Sequence, residues 1–409
     1  MDLRRDPVRE PDPASDPELL RLVRTEIGRD GPMTFARFMD IALYDPARGY
    51  YRGAVARPGR SGDFLTAPEA SPIFGRTIAR FARAVHGAVG APATFSIREH
   101  GAGTGALAAP LVAALLAEDA VTAEPSAVAA VRYLVAEVEP ARVDAVRAAV
   151  RGSTAAAGNA SVERDGGEPI EGLVIANEVL DALPTHRVIQ RGSELREILV
   201  DVGPDGELID LEAAPSTSAL AARLAAESVT LADGQRAEIC LALDAWVQRA
   251  AAGLARGALL LIDYGHPAAE LYDPRRRGAG TLVSYQAHRV GDDPFRAIGR
   301  QDITAHVDAT AVERAAVEAG LVHLGSTTQA EFLSHLGAGE LLVREQSGPA
   351  AGLAGYLETR SALVRMIDRA AMGRFRVMAF GRGLAVDAGL PGFPGPADQR
   401  DGRFRPTRR

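Results

Sequence analysis

Lysine is absent from the 409-residue chain, so every permanently cationic side chain is an arginine. That excludes Schiff-base catalysis and the lysine-bearing phosphate loop of Walker type. Cysteine occurs once, as Cys240, which excludes an intramolecular disulfide and any cysteine-built metal site. It stands in an apolar helical run and reads as a core residue. Aromatic residues make up 5% of the chain, Trp246 is the sole tryptophan, and the formal net charge is −7. An acidic chain with few stacking platforms carries no footprint for nucleic acid. No apolar run approaches the roughly 20 residues that span a bilayer, and the charged, proline-rich start has no secretory apolar core. These absences predict no membrane insertion and a cytoplasmic protein. What remains is an ordinary globular composition, 47% hydrophobic and 24% charged, long enough for one large domain with additions.

Residues 1–16 read as a disordered tail. Asp16-Pro17 opens a helix to about Ile27, with Leu19, Leu20, Val23 and Ile27 on one face; residues 34–43 read as a second helix. A turn cluster at 44–51 and the segment 62–69 lead to a helix over about 72–85. Residues 17–92 thus read as a helical cap with no sheet signal. From Thr94 strands and helices alternate, predicting an α/β fold with a mostly parallel sheet covered by helices. Strands are expected at 94–99, 131–137, 161–164, 173–177 and 258–264, with helices at 105–117 and 140–150. Residues 186–256 interrupt this core (93–185 and 257–383) with a hairpin over 187–202, a strand near 207–211 and helices at 220–226 and 237–254. That segment reads as an insertion that covers the site. Further on, the pattern predicts strands at 282–286 and 321–327, a helix at 310–319, helices at 329–336 and 353–370, an edge strand at 375–380 and a flexible tail over 384–409.

The most informative stretch is 95–107, where a short strand meets Gly101, Gly103 and Gly105 and then an Ala/Leu-rich helix. Glycines there allow unusual φ values and let a ligand approach the amides at a helix start. Gly101-x-Gly103-x-x-Ala106 also satisfies the dinucleotide fingerprint. Glu99 points elsewhere: a carboxylate at the strand's end repels a pyrophosphate but suits a ligand carrying an ammonium and a sulfonium, such as S-adenosylmethionine. Glu137 lies too far beyond Ala106 for the ribose acid of the dinucleotide pattern, which falls about 20 residues on.

Open α/β sheets bind ligands beyond the carboxyl ends of their strands, and those ends carry Glu99, Glu137, Asn177-Glu178 and Asp263-Tyr264. If a helical turn begins after Asn177, Glu178 and Asp181 share one face and can hold a planar cation through bidentate hydrogen bonds. The plainer alternative is that Asn177 caps the turn and the acids complement its dipole. Residues 302–308 hold Asp302 and His306, a general base or substrate contact; the alternative is a strand with alternate residues exposed, then Asp308 as an N-cap. His288 and His306 show no close metal-ligand spacing, so no metal site is expected. The five arginines after Gln399 read as a solvated tail.

Taken in order, the segments 33–39, 45–51, 62–69 with Phe74-Gly75, 99–105, 137–140, 176–184, 263–265, 280–282 with His288, and 301–308 resemble the MidA-type S-adenosylmethionine-dependent methyltransferases. That family includes the mitochondrial arginine methyltransferase of complex I assembly. The resemblance covers about residues 33–383. It implies a class I methyltransferase fold in which Gly101, Gly103 and Gly105 approach the methionine part of S-adenosylmethionine and Glu137 takes the ribose hydroxyls. Glu99 and Asn177 complete the cofactor site, and Asp63, Phe64 and Thr66 close over it. It further implies that Glu178 and Asp181 orient the methyl acceptor, a protein side chain and within that class an arginine, with Tyr264, His288, Asp302 and His306 as further substrate contacts. Residues 162–169 lack the aromatic that the resemblance places near the adenine. Two rivals are an assembly factor that keeps the fold and binds a partner through 186–256, and a nicotinamide-dependent oxidoreductase. Oligomeric state is not legible.

Overall fold

The computed structural model describes residues 15–52, 65–117, 128–153, 158–286, 289–347, 352–384 and 389–393. Its strands in chain order are β1 (Met33–Thr34), β2 (Thr94–His100), β3 (Ala130–Ala136), β4 (Ala160–Arg164), β5 (Ile170–Asn177), β6 (His186–Arg191), β7 (Glu194–Val202), β8 (Leu208–Ala213) and β9 (Arg236–Ile239). They continue with β10 (Leu254–Asp263), β11 (Gly265–His266), β12 (Val283–Gln286), β13 (Arg289–Gly291), β14 (Asp302–Thr304), β15 (Val307–Asp308), β16 (Val322–Thr328) and β17 (Arg376–Arg382).

Seven strands form the central sheet in the order β16-β17-β10-β5-β2-β3-β4. From β10 to β4 the pairing is parallel, while β17 runs antiparallel to both neighbours. The interior strands are apolar runs because both faces are covered. On one face Ile97, Tyr133, Leu173 and Leu260 pack under the helices Ile73–Ala88 and Ala108–Leu116. On the other, Val174, Leu259 and Leu261 pack under Ala242–Ala252 and Ala309–Glu318. Each such fully buried aliphatic side chain contributes about 1.5–3 kcal/mol relative to exposure. This is the predicted α/β class, with helices on both faces of the sheet.

Several boundaries differ from the sequence reading. Met33–Thr34 is not purely helical cap: it pairs antiparallel with Leu199 and Val200 and so joins the first block to the inserted sheet β1-β7-β6-β9, with β8 on β7. A two-residue strand gives no periodicity to read. The helix predicted over 237–254 is divided. Arg236–Ile239 is β9, paired with β6, and Cys240 follows that strand rather than lying inside a helix; the helix proper is Ala242–Ala252. The strand predicted as an edge near 375–380 is interior, between β16 and β10; its apolar run is what an interior strand needs. The tail expected from 384 is partly packed, since Phe393 sits against Phe81 and Phe332 with ring centroids 6.2 and 5.1 Å away. No described helix is long and apolar enough to cross a membrane.

Candidate functional site at the carboxyl ends of the sheet

The turn after β2 takes positive φ at Gly101 (+69°), Gly103 (+55°) and Gly105 (+84°). The glycines are not equivalent. A side chain at Gly103 would meet open space, whereas one at Gly105 would lie 3.0 Å from Val146 Cα and Ala149 Cβ in the helix Ala141–Ser153. Gly103 therefore serves an approaching ligand. Gly105 serves close packing of two helices and is not among the cavity-lining residues. Glu137, immediately after β3, accepts the Gly103 N–H on Oε1 at 2.5 Å, tying the turn to the next strand end. Burial raises the Glu137 pKa.

These strand ends open on a cavity of about 500 Å³, within the usual range for a small-molecule site. Thr66, Glu99, Gly101, Gly103, Glu137, Asn177 and Glu178 line it. The structure thus brings together most of the expected cofactor residues; Asp63, Phe64 and His288 lie outside the described residues. An open glycine at the floor and carboxyl groups on two strand ends fit a cofactor with a cationic amino-acid part and a ribose diol. Sequence reasoning missed Tyr44, Tyr51, Asp165 and Trp246, which also line it. Asp165 follows β4, so the strand-end rule could have found it. Trp246 comes from the helix Ala242–Ala252 on the far face, its ring 5.2 Å from His100, and it supplies an aromatic that residues 162–169 lack.

The loop after β5 is not the helical turn that the spacing of Glu178 and Asp181 predicts. Glu178 has φ +54°, a conformation strained for a residue with a Cβ, and its amide donates to Ile262 O at 2.8 Å across to β10. Asp263 then accepts the Val179 and Leu180 amides on Oδ2 at 3.0 and 2.8 Å and its neighbour Tyr264's amide on Oδ1 at 2.7 Å. Asn177 is no N-cap: its Nδ2 donates to Glu178 Oε1 at 3.0 Å. The acids are grouped by the loop and by Asp263, not by helical spacing.

Asp181 is buried behind the cavity wall, its own carbonyl accepting the Ala305 amide at 2.9 Å. Asp302 is buried too, so β14 lacks the alternating exposure of the plainer reading; Asp308 does cap the next helix. Tyr51 O–H donates to Asp302 Oδ1 at 2.8 Å, Tyr44 O–H to Ala182 O at 2.9 Å, and the two rings stack 5.5 Å apart. Enclosure, then the charge of Asp263, pushes Glu178 up to about 8. Burial pushes Asp263 to about 7, and burial with Asp263, Asp302 and Glu178 nearby raises Asp181 as well. Burial among like charges thus favours the protonated forms of Glu178, Asp263 and Asp181.

Tyr264 and His306 form a separate cluster. Their rings lie 6.3 Å apart, His266 is 5.4 Å from His306, and Phe375 is 3.9 Å from Tyr264. Neither Tyr264 nor His306 lines the cavity. Burial lowers His306 to about 4, so it is neutral at physiological pH. Among the described residues no group of three His, Cys, Asp or Glu side chains is placed to hold a metal ion.

The family model of S-adenosyl-L-methionine-dependent methyltransferases matches residues 77–327. A crystal structure from Burkholderia thailandensis, bound to S-adenosyl-homocysteine, is 34% identical, covers 92% of this chain and 96% of its own, and superposes with a TM-score of 0.79. The protein named protein arginine methyltransferase NDUFAF7, mitochondrial, is 28% identical in Homo sapiens over 80% of this chain and 75% of its own. In Danio rerio it is 27% identical over 78% and 76%. The mitochondrial names overturn the cytoplasmic expectation, which rested on hydropathy alone; a mitochondrial address is an amphipathic, arginine-rich segment that a search for apolar runs does not detect. Fold, strand-end cavity and family match agree, and the chain belongs to the MidA-type S-adenosyl-L-methionine-dependent methyltransferases.

Proposed function

We propose that this methyltransferase modifies an arginine side chain of a protein. The observation that carries the reading is the acid loop, with Glu178 in the cofactor cavity and Asp181, Asp263 and Asp302 buried around it. A guanidinium stays charged at any physiological pH, so a site that takes it must supply negative charge when it binds and orient a planar fork. Glu178 lines the cavity and Asp181 lies buried behind its wall, and their raised pKa values make their ionisation depend on the arriving cation. The names of the curated relatives support the same acceptor.

S-adenosylmethionine supplies an electrophilic methyl group on a sulfonium. In this reading Glu99, Gly101, Gly103, Glu137, Asn177 and Thr66, with Asp63 and Phe64, hold it, and Trp246 and Asp165 complete the pocket. Glu178 would hold the guanidinium, with Asp181 adding negative charge from behind the wall, so that one Nη is presented for methylation. As the N–C bond forms and the C–S bond breaks, the nitrogen releases one proton, which a loop carboxylate accepts. Alignment of the two reactants supplies much of the rate. Tyr51 acts through Asp302, and residues 186–256 form the wall that meets the protein substrate.

The test is incubation with isotope-labelled S-adenosylmethionine and an extract from the source cell, followed by mass spectrometry of the labelled protein. Label on arginine that disappears with Glu178→Gln supports the reading; label on another side chain overturns it.

A further inference from the structure

We infer that Tyr133 is a positioning residue that holds Glu99 for recognition of the ammonium group of the cofactor's amino-acid part. β2 and β3 are parallel neighbours in which Ile97 pairs with Tyr133 and Glu99 with Val135. Tyr133 and Glu99 therefore stand on one face of the sheet, one step apart across the strands. Tyr133 is fully buried, Glu99 is 3% exposed, and the column they top is otherwise apolar, built from Phe95, Ile97, Val131 and Val135. A carboxylate placed there without a donor would be costly. The Tyr133 O–H donates to Glu99 Oε2 at 2.5 Å, and no other donor reaches Glu99 among the described residues. Oε1 is left without a protein partner on a residue that lines the cavity. A tyrosine inside an apolar strand face is thus spent on aiming one carboxyl group.

The arrangement has a measurable consequence. Burial raises Glu99 to about 8, the Tyr133 hydrogen bond opposing that rise. Glu137 is the other charge acting on Glu99, and it raises the Glu99 pKa further. Tyr133 stays protonated and remains a donor, because burial and the facing Glu99 lift its own pKa well above the ordinary value. In the free protein Glu99 therefore carries its proton at pH 7, and an ammonium arriving at Oε1 displaces it. Binding of any ligand with that ammonium releases a proton, and affinity climbs by up to about tenfold per pH unit below the free-protein pKa. Removing the Tyr133 hydroxyl leaves the carboxylate less stabilised, so Glu99 is protonated over a wider range and binding weakens most at low pH.

The experiment is calorimetry on the full-length protein with S-adenosylhomocysteine, and with 5′-methylthioadenosine, which has the nucleoside and thioether but no amino acid. Measurements are made at pH 6.5 and 8.5 in buffers of different ionisation enthalpy. Wild type is expected to release close to one proton with S-adenosylhomocysteine at pH 6.5 and none with methylthioadenosine. Tyr133→Phe should bind S-adenosylhomocysteine at least about tenfold more weakly at pH 6.5, as befits a lost hydrogen bond to a charged group, with the gap narrowing at pH 8.5. Glu99→Gln should abolish the proton release. A pH-independent loss in Tyr133→Phe, or equal proton release with both ligands, overturns the inference. Should Tyr133→Phe fail to fold, wild type and Glu99→Gln against the two ligands still decide it, since proton release that survives Glu99→Gln also overturns it.

Discussion

Asp263 Oδ2 accepts the amide of Leu180 at 2.8 Å, a contact by which the end of β10 sets the shape of the loop that leaves β5. The same carboxylate takes the Val179 amide and Tyr264's amide, so one buried side chain satisfies three donors and fixes the left-handed turn at Glu178. Asp263→Ala should leave buried amides unpaired, at about 1–3 kcal/mol for each group left unsatisfied, and release Glu178 from its strained conformation. The expected result is a lower thermal midpoint and a fall of at least tenfold in kcat, with cofactor affinity changed less, because the glycine turn is untouched. Asp263→Asn keeps an acceptor oxygen and should fall between the two. Thermal melts and steady-state kinetics read the order, and an Asp263→Ala enzyme with wild-type kcat would show that the loop holds its shape without this contact.

The raised acids make stability depend on pH in a definite direction. Glu178 and Asp263 have folded pKa values near 8 and 7, above those of an unfolded chain, so between about pH 4.5 and 8 the native state binds more protons than the unfolded one. Stability from these groups is present at the acid end and is lost as pH rises through the folded values. The cofactor-free protein should therefore show a falling melting temperature from pH 6 to 8.5. Glu178→Gln should flatten that fall and melt higher than wild type at pH 8.5. A wild-type melting temperature that climbs across this window would contradict the assignment.

The main sheet was legible in the sequence because its interior strands are continuous apolar runs and each strand end carries a polar residue that has no business in a core. Glu99, Glu137 and Glu178 announce themselves that way. What was not legible depends on contacts across long separations. Met33–Thr34 becomes a strand only because Leu199 and Val200 lie beside it, and two residues carry no period. The turn after Asn177 looks helical by spacing, yet Asp263, eighty-odd residues on, draws its amides into another path. Trp246 reaches the cavity from the opposite face of the sheet, a position no linear pattern encodes.

Trp246 offers a direct measurement of cofactor binding. It is 9% exposed, lines the cavity and is the only tryptophan, so intrinsic fluorescence excited at the indole band reports on one site. Titration with S-adenosylhomocysteine should change that emission saturably, and Gly103→Val, which places a branched side chain in the open approach to the turn, should abolish the change. Trp246→Phe should still bind, measured by calorimetry, at an affinity a few-fold lower. An emission unaltered by saturating ligand would place the cofactor away from this side chain.

The buried arginine of β2 ties the floor of the site to the rest of the sheet. Arg98 is 2% exposed and uses all three guanidinium nitrogens: Nε donates to Asp165 Oδ1 at 2.8 Å, Nη1 to Gly253 O at 2.6 Å and Nη2 to Glu168 O at 2.5 Å. It therefore joins the segments after β4 and before β10 to the strand between them, and it orients Asp165, a cavity residue. Arg98→Met keeps much of the volume but leaves the Asp165 carboxylate without its cation and takes a donor from the Glu168 and Gly253 carbonyls, the latter keeping the Ile170 amide. Breaking a buried pair on one side costs about 3–5 kcal/mol; because Asp165 retains 17% of its side-chain exposure, the expected loss sits at the lower end, about 3 kcal/mol. Arg98→Lys should recover only part, since a single ammonium cannot reach three acceptors arranged around a planar fork. Arg98→Met with Asp165→Leu removes the stranded charge and should be more stable than Arg98→Met alone, while binding S-adenosylhomocysteine no better. Denaturant unfolding of the three variants separates these outcomes. A double variant less stable than Arg98→Met would mean that the ion pair is not the source of the loss, and that the carbonyl contacts at Gly253 and Glu168 carry it.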